Sequence, residues 1–309
     1  MRSVSRRRRL AAWGFLAPAL LGMAVFFVYP LILTVYYSFT KFNMLSPAVW
    51  NNFANWKYMF GKDPLIVQAT LNTLWFVVIL VPVRIVGAIF VAWVLTRARR
   101  AGGVFRTIFY LPALIPPVAS TIAFVFVLNP ANGPVNLILS KLGIAPGWFT
   151  DPNLSKPSLA LLGLWVLGDI MVIFLAALLD VSVDQYEAAE LDGAGGFARF
   201  WYVTIPNIRP VILFAAVTGV IGALQYFTEP AVASSTALGK AMVGAGASTV
   251  LGWPGNSTLT YGQELYSQAF GARLMGYAST MAVVLFVVAG IVMFFLLRRF
   301  SDFNPEVAS

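Results

Sequence analysis

The sequence predicts an all-α, polytopic membrane protein with six transmembrane helices. Three observations carry this. The 309 residues are 59% hydrophobic and only 11% charged, whereas an average soluble domain is about 25% charged. Mean hydropathy is +0.80. The apolar residues also gather into stretches near 10–37, 67–95, 104–128, 158–180, 208–230 and 277–297, each long enough for the roughly 20-residue helix that crosses a hydrocarbon core.

The first stretch follows Arg6–Arg9 and has the look of a secretion signal. Its apolar part, Leu10 to Leu33, outlasts the roughly 7–15 residues of a signal-peptide core, so it is read as a retained span behind a basic N-terminus, 1–9. The second stretch holds Pro82 and Arg84, and the third carries Pro112, Pro116 and Pro117. Proline in a span frees backbone groups and kinks the helix. The fourth contains Trp165 and Asp169, and the fifth ends at Gln225, Tyr226 and Glu229. The six-span domain is expected over 10–300, followed by a short tail, 301–309. Loops near 38–66, 129–157 and 231–276 carry Pro, Gly, Asn and Trp, suited to turns and the membrane interface. The last is rich in Ala, Gly and Ser up to Gly252 and is expected to be flexible. No internal repeat stands out.

The basic residues set the orientation. Arg2, Arg6–Arg9, Arg97, Arg99, Arg100, Arg106, Arg199, Arg209, Arg298 and Arg299 fall on the side of the N-terminus. Fewer, namely Lys41, Lys57, Lys62, Lys141, Lys156, Lys240 and Arg273, fall on the other. Cytoplasmic loops carry the excess of Lys and Arg, so both termini are expected in the cytoplasm of a bacterial plasma membrane. This bias explains the net charge of +9 without nucleic acid. The chain has neither cysteine nor histidine, which removes disulfides, thiolate nucleophiles, the usual zinc ligands and imidazole acid–base chemistry. No enzymatic activity and no metal are expected of it.

One cytoplasmic connector, 181–207, is longer than a link requires. Ser182 followed by Gln185 fits a capping box. A helix should run from Val183 and stop near Gly193, where glycine supplies a left-handed cap. Asp184, Glu187 and Glu190 share a face at i, i+3 spacing. A second short helix from Phe197 groups Phe200, Trp201 and Thr204, with Pro206 ending or bending it and Pro210 opening the next span. A solvated connector is the plain reading of such a loop. An acidic, capped, glycine-hinged pair of helices reads instead as a docking knob for a cytosolic partner.

Glu187-Ala188-Ala189, then Asp192-Gly193-Ala194, Phe200 and Ile205-Pro206 resemble the EAA loop of permease subunits in binding-protein-dependent ABC importers. RTIFYLPALIPP (106–117), LNPANGPVN (128–136), FTDPN (149–153), PGNST (254–258) and MGYASTMAVVLF (275–286) resemble the sugar-permease branch, close to the larger maltose-type and glycerol-phosphate-type subunits. The resemblance covers about residues 10–300. It implies the type I importer transmembrane domain, a passive half-conduit without catalysis. The partners it implies are a second homologous permease in a heterodimer, two copies of a cytosolic ATPase, an extracytoplasmic solute-binding protein, a sugar substrate and membrane lipid. The loop would sit in a cleft of the ATPase, where Glu187 meets a basic residue and Gly193 allows close backbone approach. ATP and magnesium would then reside on the partner. Gly61-Lys62 and Gly239-Lys240 lack the earlier glycine, Trp56 and Ser234 standing there, and lack the following Ser or Thr of a phosphate-cradling loop.

Ionisable residues inside a bilayer are functional candidates by default. Arg84 and Asp169 fall at similar depth and are candidates for an ion pair. Matching by distance from the EAA loop gives Trp165 and Asp169 on one side of a substrate path. Thr218, Gly222, Gln225 and Tyr226 lie on the other, with Glu229 read as interfacial. Aromatic faces with carboxylate and amide groups suit a polyol. A free Arg84 would favour an anionic substrate such as glycerol phosphate; Asp169 facing the path favours a neutral di- or oligosaccharide, the preferred reading. A self-contained secondary transporter is the rival class, but it usually shows repeat symmetry or coupling carboxylates in several spans.

Overall fold

The computed structural model describes residues 2–98, 102–240 and 250–301, and they are overwhelmingly helical. The chain divides into two units, Met1–Asp63 with Gln268–Val287, and Pro64–Ser267 with Val288–Ser309.

In the first unit, α1 (Arg2–Met23) continues through a wide π-helical turn, Ala24–Val28, into α2 (Tyr29–Ser38). A two-residue hairpin follows, β1 (Thr40–Lys41) antiparallel to β2 (Val49–Trp50), then α3 (Ala54–Gly61). The start of the last helix, α16 (Met275–Ser301), packs on this hairpin. The Gly276 amide donates to the Phe42 carbonyl at 3.0 Å, and the Thr280 hydroxyl donates to that of Ser38 at 3.1 Å. A Cβ at Gly276 would lie 2.1 Å from the Thr40 oxygen, so glycine is what lets the helix close on the strand. The Tyr277 hydroxyl donates to the buried Asp63 carboxylate.

In the second unit α4 (Ile66–Trp75) runs through another π turn, Phe76–Leu80, into α5 (Val81–Thr96). The next helices are α6 (Gly102–Leu114), α7 (Pro117–Val127), α8 (Pro134–Ser140), α9 (Pro152–Trp165), α10 (Gly168–Asp180) and α11 (Val183–Leu191). Then come α12 (Gly196–Arg199), a π turn Phe200–Thr204, α13 (Ile205–Leu224), α14 (Thr228–Leu238) and α15 (Tyr261–Tyr266). The π turns before Pro30, Pro82 and Pro206 share one cause. A proline ring clashes with the carbonyl four residues back. Here that carbonyl belongs to Phe26, Val78 or Tyr202, and each lies inside the widened turn.

Three helical runs, Ala11–Ser38, Ile66–Thr96 and Met275–Arg298, are each long and apolar enough to cross a membrane. Three bent pairs qualify together: α6 with α7 at 101°, α9 with α10 at 48°, and Gly196–Asn207 with Arg209–Leu224 at 68°. Counting each pair as one span gives the six expected. The first bend falls where Pro116 takes an extended ψ of 138° and Pro117 starts α7. The last falls between Pro206 and Pro210: the helix bends after Asn207, as expected of Pro206, and Pro210 stands at the start of the Arg209–Leu224 half, with helical backbone continuing through the bend from Ile205.

The core of the second unit joins α5, α10 and α13 through Ala88, Ala92, Met171, Phe174, Ile208 and Ala215. Small residues let membrane helices approach closely. At Gly168 an added Cβ would stand 2.3 Å from the Phe109 carbonyl oxygen and 2.8 Å from the Tyr110 Cα, both backbone. Gly168→Ala is therefore expected to push α10 off α6 and destabilise the fold by about 1–3 kcal/mol. A lowered melting temperature of the detergent-purified protein checks this, and a wild-type melt would contradict it.

The 231–276 stretch differs from the flexible loop expected. Its Ala- and Ser-rich beginning is the end of α14, with Ala231, Ala233 and Ser234 buried, because small side chains permit close packing. From Val250 onward it is tied to α4. Asn72 Nδ2 donates to the Asn256 and Leu259 carbonyls, each at 2.9 Å, and the Tyr261 amide donates to the Thr73 hydroxyl at 2.8 Å. Residues 241–249 lie outside the described residues.

Candidate functional site

The 181–207 connector is built on its cap. Beyond α11, Asp192 is the last half-helical residue and Gly193 takes φ +82°. The Ala194 amide donates to the Ala189 carbonyl at 2.9 Å and the Gly193 amide to that of Glu190 at 3.0 Å. These two bonds are a Schellman motif, which uses a left-handed residue to satisfy the last helical carbonyls. A Cβ at Gly193 would meet nothing within 4 Å, so within this chain the glycine serves the backbone angle. The helix starts differently from expectation. Ser182 Oγ accepts from the Asp184 amide at 3.2 Å, not from Gln185. The Gln185 side chain instead accepts from Asn207 Nδ2 at 2.7 Å. The reciprocal capping box is found elsewhere, at Thr260 and Gln263.

The two arms of the connector are pinned together. Tyr186 and Thr204 share a hydroxyl–hydroxyl bond of 2.9 Å, and Arg199 Nη1 lies 2.6 Å from Glu190 Oε2. Phe200 packs edge-on to Trp93 of α5, ring centroids 6.1 Å apart, and Pro206 sits half-buried behind it. Thus of the three acids expected on one face, Glu190 is engaged within the chain. Glu187 is exposed and, among the described residues, has no ion-pair partner. Ala188, Asp192 and Leu191 are exposed around it, with Ala189 and Ala194 half-buried.

The second constellation lies where α5, α10 and α13 come together. Arg84 Nη2 is 3.2 Å from Asp169 Oδ1, and the two side chains are 25% and 57% exposed. The Arg84 Nε is buried without a hydrogen-bond partner, a cost of about 1–3 kcal/mol unless another group supplies an acceptor. Two cavities of about 220 Å³ adjoin this pair. One is lined by Thr218, Gly222 and Gln225, the other by Asp169, Pro112, Ile115, Pro117 and Ser120. Leu80, Arg84, Tyr226 and Glu229 line both. Among the described residues, these linings carry one guanidinium and two carboxyl groups.

Two of the residues, Trp165 and Glu229, fall differently from the sequence reading, while Tyr226 lines both cavities as expected. Trp165 lines neither cavity; it stacks on Phe124 with ring centroids 6.0 Å apart. The α9–α10 break, a bend of 48°, lies between it and Asp169. Tyr226 lies beside Phe76, ring centroids 4.9 Å apart, and its carbonyl accepts from the Thr260 hydroxyl at 2.6 Å. Glu229, read as interfacial, opens onto both cavities. An acid four residues beyond Gln225 was its signal, obscured because α13 stops at Leu224 and α14 starts afresh at Thr228.

Residues 84–303 match the family described as binding-protein-dependent transport system inner membrane component. The chain is 34% identical to the lactose transport system permease protein LacF of Rhizobium radiobacter, covering 94% of each chain. It is 32% identical to the probable ABC transporter permease protein YesP of Bacillus subtilis, over 96% of this chain and 92% of that one. A chain in the crystal structure of a bacterial alginate ABC transporter, in complex with its alginate pentasaccharide-bound periplasmic protein, superposes with a TM-score of 0.73 at 21% identity. The match covers 94% of this chain and 93% of that one. The all-α, polytopic importer fold is therefore shared.

Proposed function

Since this chain belongs to the family of binding-protein-dependent transport system inner membrane components, we propose that it forms half of the conduit of an ATP-driven importer of a neutral di- or oligosaccharide. The second half would be a homologous permease, hydrolysis would belong to two copies of a cytosolic ATPase, and an external binding protein would deliver the sugar. The named sugar and oligosaccharide permeases among its relatives support the substrate class. The arginine bias supports termini on the cytoplasmic side.

The observation that carries the substrate reading is the charge around the two cavities. Arg84 is held by Asp169, and Glu229 stands on the same walls. A phosphate would meet two carboxyl groups and one guanidinium already engaged, whereas sugar hydroxyls both donate and accept. They would bond the exposed Gln225 amide and the exposed Asp169 carboxylate together. Tyr226 adds an aromatic wall.

In this reading Glu187 is the contact with the ATPase. It is charged, exposed and, among the described residues, without an ion-pair partner, on a helix whose position is fixed by the Tyr186–Thr204 bond and the Gly193 cap. Closure of two ATPase subunits would pull paired connectors together, and the connector's packing on α5 and its continuity with α13 would carry that movement to the cavity walls.

The test is uptake by proteoliposomes holding the full complex, with loaded binding protein and internal ATP. Gln225→Leu is expected to lower sugar uptake about fivefold, the weight of one net hydrogen bond, while ATPase assembly stays intact. Uptake of a phosphorylated polyol in preference to neutral sugars would overturn the substrate reading. Uptake without ATP would overturn the importer reading.

A further inference from the structure

A third cavity has a different character. A groove of about 660 Å³ runs between α5 and the α12–π-turn segment of the connector. Its walls include Val86, Phe90 and Trp93 on one side and Phe200 and Trp201 on the other, and apart from Gly196 and Arg97 every lining side chain is aliphatic or aromatic. Arg97 lies at the end of α5, its guanidinium 3.7 Å above the Trp93 ring. Among the described residues Arg97 has no carboxylate partner.

These facts restrict the occupant. The groove opens along a membrane-spanning helix, so an acyl chain can enter it without leaving hydrocarbon. Trp93 and Trp201 are residue types that settle at the headgroup level. The unneutralised guanidinium stands at the end of an apolar slot, the arrangement by which basic pockets beside spans take anionic headgroups. A zwitterionic headgroup brings its own cation beside its phosphate, so an anionic headgroup answers that charge more fully. We propose that one anionic phospholipid occupies this groove, an acyl chain lying along Phe90 and Trp201 and its phosphate on Arg97. It would act as a removable filler that holds the second half of the connector against α5. Placement in the cytoplasmic leaflet rests on the orientation proposed above.

The experiment uses the assembled complex with its partner permease and ATPase, in nanodiscs of phosphatidylcholine containing phosphatidylglycerol. Native mass spectrometry counts retained lipids, and hydrolysis is followed in the same discs. Wild type should retain phosphatidylglycerol in preference to phosphatidylcholine. Arg97→Gln should lower that retention about fivefold, the effect of one basic residue near an anionic surface. Val86→Trp fills the apolar part without changing charge and should also release the lipid, while Arg106→Gln, outside the groove, should not. Equal retention by all four proteins would overturn the proposal, as would a cross-link from the groove to the ATPase or the partner permease in place of lipid. The lipid count needs no sugar, so its failure leaves the importer reading untouched. Failure of sugar uptake with the lipid retained would count against the importer reading alone.

Discussion

Gly193→Pro is expected to abolish ATP-coupled uptake, and Glu187→Ala to weaken it severely, while both proteins still insert into the membrane. The reasons differ. Gly193 sits at φ +82° and its amide donates to the Glu190 carbonyl. Proline fixes φ near −65° and has no amide hydrogen to donate, so both the turn and the bond are lost, and α11 no longer meets the α12 arm as it does now. Gly193→Ala keeps the amide and meets no neighbour, leaving only the left-handed strain of about 1–2 kcal/mol. That variant should show a partial loss, which separates a need for the backbone angle from a need for bare glycine at a contact. Glu187→Ala leaves the loop's internal bonds untouched. Truncating one partner of a buried, hydrogen-bonded charge pair costs about 2–5 kcal/mol, so ATPase retention on the purified permease should fall roughly thirtyfold or more. Binding-protein-stimulated hydrolysis by the reconstituted complex reads both effects. Wild-type hydrolysis and uptake in Gly193→Pro and Glu187→Ala together would reduce residues 181–207 to a connector.

The second large effect concerns Arg84 and Asp169. Arg84→Met leaves a carboxyl group within a span without its counter-charge, at about 2.5–3.5 kcal/mol on insertion scales. Membrane-integrated yield and melting temperature should both fall. Arg84→Met combined with Asp169→Leu removes both charges and should recover yield and melting temperature. Transport separates structure from path. If the pair lines the conduit, the double variant folds but imports sugar at least about tenfold more slowly, having lost more than one hydrogen-bonding group. Full transport by the double variant would make the pair a structural link alone.

Much of this was legible in the sequence, and the limits have identifiable causes. The spans follow from composition because the bilayer imposes length and apolarity. Gly193 was legible because a glycine after an amphipathic turn has one common use. Arg84 and Asp169 were paired by depth, a count that tolerates an error of a turn. Trp165 was not legible, since a distance counted back from the EAA loop assumes an unbroken helix and Val166–Leu167 interrupts it. The expected capping box at Ser182 failed because Gln185 has a tertiary alternative, Asn207, that no local pattern contains. The packing of Ala231–Ser234 likewise depends on partners distant in sequence.

The broken third span has a consequence for the membrane itself. Its halves, Gly102–Leu114 and Pro117–Val127, meet at 101°, and at 1.5 Å per residue neither spans a core of about 30 Å. The residues at the break, Ile115 and Pro117, face the cavity that also holds Asp169. Unpaired backbone is tolerated at membrane depth only where it is covered by protein or lines water. Under the proposed importer reading, the fold would replace the bilayer here by a notch whose wall includes Asp169, Glu229 and Ser120. In that reading a sugar would exchange one hydrogen-bonding medium for another, and the dielectric barrier of the lipid core would be lowered by the fold before any sugar arrives.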